Sequence, residues 1–217
     1  MFGRFDPLPL QQAVLTYQPD VIAFSAVSPQ YPYVRKAVAA LPETKAVTIL
    51  GGIHSTLMPE CITENPRLDA VCVGEGEYPA LDLVEALEKC QPYDTIRNLW
   101  VRRKDGTIAH NPTRPFMEDL DSLPFPDREL FDYQEIIHTD FDLALFMFSR
   151  GCPYRCTFCS NHAIREKQEG PYVRFRSVPN CMEEIRDVTT RYKVGALYFN
   201  DDCFTAKQDW MKEFCST

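Results

Sequence analysis

Three short β-branched runs constrain this chain more than any other feature. Residues 20–25 (DVIAFS), 45–50 (KAVTIL) and 69–73 (DAVCV) are brief apolar stretches, and each enters a loop containing Gly or Ser. Strands buried on both faces read as near-continuous hydrophobic runs, unlike the strict alternation of a half-exposed sheet. Helical patterns surround them at 10–17, 33–41, near 57–63 and 79–89. Short buried strands alternating with helices predict βαβ units on a parallel sheet, hence an α/β fold. Three strands are fewer than a usual doubly wound sheet has. The chain also opens directly on a helix, as though a first strand were missing.

After Pro92 the pattern changes. Residues 96–103 and 107–110 flank Asp105-Gly106, a favoured hairpin turn. Residues 111–139 hold Pro112, Pro115, Pro124 and Pro126 among many acids, which predicts an extended linker. A second αβ pattern follows: a strand at 143–148, a long loop at 149–176, a helix at 180–192, a strand at 195–200 and the start of a helix at 206–214. The expected organisation is an αβ domain over 1–95, a hairpin and linker over 96–139, and a second αβ region over 140–217.

Charge divides the chain at the same place. Residues 1–139 hold 12 Lys and Arg against 20 Asp and Glu, the whole of the −8 net charge, while residues 140–217 hold 11 of each. The acidic total argues against bulk attraction to nucleic acid or anionic lipid. No apolar run approaches the ~18 residues of a membrane helix, and the first residues carry no signal-peptide pattern. Nine cysteines without an export signal point to reduced thiols in the cytoplasm, not to a disulfide framework. Six are scattered (Cys61, Cys72, Cys90, Cys181, Cys203 and Cys215) and read as packing residues.

The other three carry the strongest chemical signal. In residues 150–159 (RGCPYRCTFC), Cys152, Cys156 and Cys159 place three thiols within eight residues, directly after a predicted strand. Thiolates in that density favour zinc or iron–sulfur, and the basic flank, six Lys and Arg against two Glu over 150–176, offsets their charge. A structural zinc site is closed by four ligands, and His162 is the residue that could close it. The other solution is a cubane cluster with one iron left open.

Three further loops follow the three parallel strands: Ser25 to Ser28, Gly51-Gly52 and Gly74-Glu75-Gly76. A parallel sheet brings such loops to one edge, where ligands of αβ folds bind, and glycine lets the backbone approach a ligand closely. Ser25, Ser28, Gly51, Gly52, Gly74 and Glu75 are therefore candidate binding residues, each alternatively a simple turn; His54 could also touch a ligand there. Asp201 and Asp202 end the last predicted strand, either facing a site at the strand ends or capping the next helix.

Cys-x3-Cys-x2-Cys with Phe158 before the last cysteine resembles the signature of radical S-adenosylmethionine (radical SAM) enzymes. Residues 149–153 (SRGCP), 174–177 (RFRS), 199–205 (FNDDCFT), 51–54 (GGIH), 73–77 (VGEGE) and the 120–126 linker resemble the cobalamin-binding branch of that superfamily. The resemblance spans nearly the whole chain. It implies a Rossmann-like cobalamin-binding-type domain followed by the start of a partial (β/α) radical SAM barrel. Cys152, Cys156 and Cys159 would hold a [4Fe–4S] cluster whose open iron chelates S-adenosylmethionine, cleaved on reduction to methionine and a 5′-deoxyadenosyl radical. Phe158 would lie by the adenine or pack under the loop, and Asp201 and Asp202 would face the amino group of S-adenosylmethionine. Cobalamin would take the edge of the first domain, its nucleotide tail toward Gly51-Gly52.

The resemblance also implies a small-molecule substrate and a reductant such as flavodoxin or ferredoxin, with methyl transfer or cyclisation as the reaction. No residue is singled out as catalytic. One departure stands out: cobalamin domains that ligate cobalt through a histidine carry Asp-x-His-x-x-Gly after the first strand, and residues 2–6 (FGRFD) hold none. A full barrel needs roughly 200 residues, so the part after Asp140 reads as the opening of one. The competing classes are a zinc-binding Cys3His interaction module and an electron-transfer iron–sulfur protein.

Overall fold

A computed structural model describes residues 5–217. They form two units: the first runs to Pro115 and includes Glu166–Glu169, and the second comprises Phe116–Arg165 and Gly170–Thr217.

The first unit contains α1 (Leu8–Tyr17), β1 (Val21–Ser25), α2 (Tyr31–Ala40), β2 (Val47–Gly51), α3 (Ile53–Leu57), α4 (Cys61–Glu64), β3 (Ala70–Cys72), α5 (Glu77–Glu88), β4 (Leu99–Arg102) and β5 (Ile108–His110). They build one sheet in the order β1-β2-β3-β4-β5. The first three strands are parallel, with Val21 opposite Val47 and Ile49 opposite Ala70. Side chains alternate across it as strand geometry requires. Leu50 and Val71 point into a core with Val14, Tyr31, Val34, Val38 and Ile62, contributed by α1, α2 and α4. Val47, Ile49, Ala70 and Cys72 point the other way, into a core with Leu83 of α5. Burial on both faces explains why these runs contain so few polar residues.

The expected boundary near residue 95 is corrected. The hairpin does not stand apart: β4 pairs antiparallel with β3, Val71 opposite Trp100, and β5 follows it. Leu99, Val101 and Ala109 complete the second core, so separating them would expose it. Asn98 secures the junction. It is buried with φ 70°, a conformation Asn tolerates, donates from Nδ2 to the Val73 carbonyl at 2.7 Å and accepts from the Arg114 amide at 2.9 Å. Among the described residues β1 is a sheet edge; residues 1–4 of the segment searched for a cobalt-ligating histidine lie outside the described residues.

The second unit contains α6 (Tyr133–Thr139), β6 (Leu143–Phe146), β7 (Ser149–Arg150), α7 (Asn161–Arg165), β8 (Arg174–Phe175), α8 (Val178–Arg191), β9 (Ala196–Phe199) and α9 (Gln208–Ser216). β6 and β9 pair in parallel, and β7 pairs antiparallel with β8. An aromatic core of Phe146, Phe148, Trp210 and partly buried Phe199, Phe204 and Phe214 lies between them and α8 and α9.

The expected extended linker is also corrected. Phe116, Met117 and Leu120 are buried, and Ile137 of α6 sits in the aromatic core. Asp119, Asp127 and Asp132 each cap a short helical turn, Asp132 accepting from the Glu135 amide. The Asp132-x-x-Glu135 spacing is a helix-start signature masked by the surrounding prolines. Deeper in, the Glu184 carboxylate lies between Arg128 Nη2, at 2.5 Å, and Arg176 Nη1. Among the described residues no helix is long and apolar enough to cross a membrane.

Candidate functional site

Parallel pairing of β1, β2 and β3 brings their three following loops to one edge, as a parallel sheet must. The first two loops are stitched together. The Ala26 amide donates to the Gly51 carbonyl at 3.2 Å, and the His54 amide to the Ala26 carbonyl at 2.9 Å. Gly52 has φ 92°, and a Cβ there would meet the Ala26 backbone N and O at 2.8 Å, so only glycine fits. The His54 ring stacks on Tyr31 at 3.9 Å, and its Nδ1 lies 3.1 Å from Ser28 Oγ. Burial pushes its pKa below the ordinary histidine value, which keeps the ring neutral. Its Nε2 is buried without a hydrogen-bond partner. Ser25 and Ser28 are exposed at this edge, with apolar Val27, Ile53 and Met58 also exposed.

The third loop is arranged differently. The Gly74 amide donates to Thr56 Oγ1, and the Glu75 amide to Gln168 Oε1, each at 3.0 Å. Gln168, from the four residues 166–169 that belong to this unit, is buried and donates from Nε2 to the Arg114 carbonyl at 3.0 Å. A Cβ on Gly74, whose φ is 89°, would collide with that carboxamide. The backbone donors of Gly74 and Glu75 are thus already engaged by the protein itself. Nothing in the sequence signals Gln168, which lies 93 residues from Glu75.

The cysteine loop begins at Gly151 (φ 82°), where a Cβ would collide with the Tyr172 carbonyl. Its far end is held by Asn161, the first residue of α7: Nδ2 donates to Cys159 Sγ at 3.5 Å, and Oδ1 accepts from the Tyr172 hydroxyl. Burial first, and then the nearby Asp202 and Cys159, push the Tyr172 hydroxyl up to about 12, so it stays a donor. Between these anchors Cys156 is exposed, and Cys152 and Cys159 are half-buried. Cys203 lies near the Cys152 thiol, a proximity its sequence position did not reveal. Cys61, Cys72 and Cys181 are buried as expected of packing residues, whereas Cys90 and Cys215 are exposed at helix ends.

Phe158 is 93% exposed, so the alternative that it packs under the loop is not realised. Asp201 does not cap a helix: α9 starts after Lys207, which makes no side-chain cap. Its Oδ1 instead accepts from the Phe148 amide at 3.1 Å and from the Ser149 amide and hydroxyl, tying the end of β9 to the β6–β7 junction. Its Oδ2 is buried with no partner, and burial raises its pKa above the ordinary carboxyl value. Asp202 is exposed.

These residues fit the groups expected of them on chemical grounds. Three thiols in one loop are a soft donor set suited to iron–sulfur. Among the described residues, no group of three or more His, Cys, Asp or Glu is gathered as a finished metal site. The unpartnered Asp201 Oδ2 retains acceptor capacity for an ammonium, and exposed Phe158 offers an aromatic face. At the sheet edge, hydroxyls, an orphaned imidazole nitrogen and apolar side chains suit a large ligand with polar appendages.

Residues 5–84 match the model of the B12 binding domain family. The chain is 28% identical over 214 residues to anaerobic magnesium-protoporphyrin IX monomethyl ester cyclase of Rubrivivax gelatinosus, covering 95% of this chain and 38% of the relative. The cobalamin-dependent S-adenosylmethionine radical enzyme OxsB, solved with aqua-cobalamin and S-adenosylmethionine, superposes with TM-score 0.71 at 22% identity, over 97% of this chain and 30% of that one. The radical S-adenosylmethionine methyltransferase TsrM from Kitasatospora setae, solved with cobalamin and a [4Fe–4S] cluster, gives 0.69 at 15% identity, over 95% and 43%. The chain thus spans less than half the length of these proteins. Residues 5–84 thus carry the B12 binding domain pattern on a three-strand parallel core, and the mixed α/β chain as a whole is similar to cobalamin-dependent radical SAM enzymes.

Proposed function

We propose that this chain forms the cofactor-holding part of a radical SAM enzyme that combines a [4Fe–4S] cluster, S-adenosylmethionine and cobalamin in methyl transfer or cyclisation of a small-molecule substrate. One observation carries the reading: three thiols share a loop anchored at both ends, in a chain whose first unit matches a B12 binding domain. OxsB and TsrM, similar in fold, were solved with these cofactors.

In this reading Cys152, Cys156 and Cys159 ligate the cluster, and Tyr172 and Asn161 keep the loop ends in place. Asp201 Oδ2 accepts from the amino group of S-adenosylmethionine, Asp202 stands beside it, and Phe158 covers the adenine. Ser25, Ser28, Gly51 and Gly52 face cobalamin; Gly74 and Glu75, engaged by Thr56 and Gln168, shape the third loop without donating those amides. Bound together, the groups would supply one-electron cleavage of a sulfonium and methyl or radical chemistry, while the protein orients them and excludes water. A reductant such as flavodoxin or ferredoxin supplies the electron. The proposed compartment is the reducing cytoplasm, where nine thiols in a chain without a disulfide-framework pattern stay reduced.

Two measurements test this. Anaerobic reconstitution should yield about four iron and four sulfide per chain, as a cubane cluster requires; bound zinc in place of iron, lost on His162→Ala, would instead establish the Cys3His module. Titration with hydroxocobalamin should change its absorbance saturably, and the change should weaken in Gly52→Val. An unchanged spectrum at saturating cobalamin would reduce the first unit to a scaffold.

A further inference from the structure

We propose that Asn161 is a positioning residue for Cys159, oriented by Tyr172, and that its N–H···S hydrogen bond raises the reduction potential of a cluster held at this loop. The inference rests on the cluster reading above.

The argument starts from Tyr172. It is 7% exposed and packs against Phe116, ring centroids 5.3 Å apart, so its hydroxyl is fixed in place. That hydroxyl donates to Asn161 Oδ1. A carboxamide has one accepting and one donating end. With the oxygen turned to Tyr172, the NH2 is turned to Cys159, and Nδ2 lies 3.5 Å from Sγ. The main chain leaves the amide little freedom to leave. Asn161 opens α7, where the Ser160 carbonyl accepts from the Ala163 and Ile164 amides at 3.0 Å, and the Cys159 amide donates to the Cys156 carbonyl at 3.0 Å.

Each added electron makes a cluster and its thiolates more negative, so a donor fixed on a ligating sulfur stabilises the reduced state more than the oxidised one. The donor also distinguishes the three sulfurs: Cys152 meets the Cys203 thiol, Cys156 is exposed, and Cys159 receives the amide. Potential tuning at this site is therefore assigned to a residue outside the Cys-x3-Cys-x2-Cys spacing.

The test is a spectroelectrochemical titration of the anaerobically reconstituted full chain. At the wild-type midpoint potential, Asn161→Leu, which keeps the branched shape and removes the donor, should lower the reduced-to-oxidised ratio several-fold. Tyr172→Phe, which frees the carboxamide to turn, should lower it by less. Asn161→Gln should recover part of the loss. Unchanged midpoints in both Asn161→Leu and Tyr172→Phe, at wild-type iron content, would overturn the assignment and leave the cluster reading intact. Failure of the wild-type chain itself to retain iron would overturn both. Should Asn161→Leu lose its iron, the midpoint of Tyr172→Phe decides.

Discussion

The two units hold their chemistry in opposite ways. At the edge of the first, several polar groups of the three loops are engaged within the unit. Ser28 meets His54, Thr56 meets Gly52 and Gly74, and Glu75 meets Gln168. In the second, the cysteine loop is clamped at Gly151 and Asn161 but open between them, with Tyr154, Cys156 and Phe158 exposed. A surface that accepts a preformed organic ligand benefits from rigidity, because less freedom is lost on binding. A loop that wraps a metal cluster gains its order from the metal bonds themselves. The glycines follow the same division: Gly52 approaches a neighbouring loop that forms the edge, whereas Gly151 anchors the loop only at its start.

If this contrast is right, the two units should fail differently. The largest effect is expected for replacing Cys152, Cys156 and Cys159 together by alanine: bound iron falls to background, while urea unfolding of the metal-free chain shifts by only about 1 kcal/mol, since Cys156 is exposed and Cys152 and Cys159 are half-buried. A large stability loss in that variant would show the loop to be as tightly built as the edge. In the same unit Glu184→Ala should cost about 3–5 kcal/mol by urea denaturation, because it strands the buried Arg128 and Arg176 guanidiniums.

Next comes Gly52→Ala, which forces a strained φ and a backbone clash with Ala26. It should destabilise the first unit by about 3 kcal/mol and weaken cobalamin binding in parallel. Unchanged binding in a folded variant would mean that the stitching of the two loops is irrelevant to the ligand.

The smallest effect is a difference in alkaline stability. Burial pushes the Cys61 thiol up to about 11 and the Cys72 thiol to about 12 in the first unit, and Cys181 to about 12 in the second, from an ordinary 9.0. Above pH 9 the unfolded thiols lose protons that the folded ones keep, so stability falls as pH rises, until the folded values are reached. Each thiol contributes at most about 1.4 kcal/mol per pH unit. Thermal melts between pH 8.5 and 10.5 should show the steeper fall in the first unit, and Cys72→Ala should flatten it.

Legibility followed the range of the interactions. The β-branched runs at 20–25, 45–50 and 69–73 marked β1, β2 and β3 because a short apolar run is a purely local pattern, although only β2 and β3 are buried on both faces and β1 keeps Ala23 and Ser25 exposed. Residues 116–139 were misleading because Pro124 and Pro126 resemble linker residues, although Phe116, Leu120 and Ile137 are buried. The hairpin was visible through Asp105-Gly106, but its pairing with β3 was not, since antiparallel docking depends on which sheet edge is free. Asp201 was correctly marked as a polar group at a strand end. That its Oδ1 ties β9 to Ser149 was invisible, because the partner lies 52 residues away.

The sequence alone determined the α/β class, the parallel core of three strands and the spacing of Cys152, Cys156 and Cys159, since each is written in neighbouring residues. Only the tertiary structure decided that the hairpin extends the first sheet, that Gln168 satisfies the Glu75 amide, and that Tyr172 turns Asn161 toward Cys159. These depend on partners far apart in the chain, chosen by which buried polar groups the folded chain brings within hydrogen-bond reach.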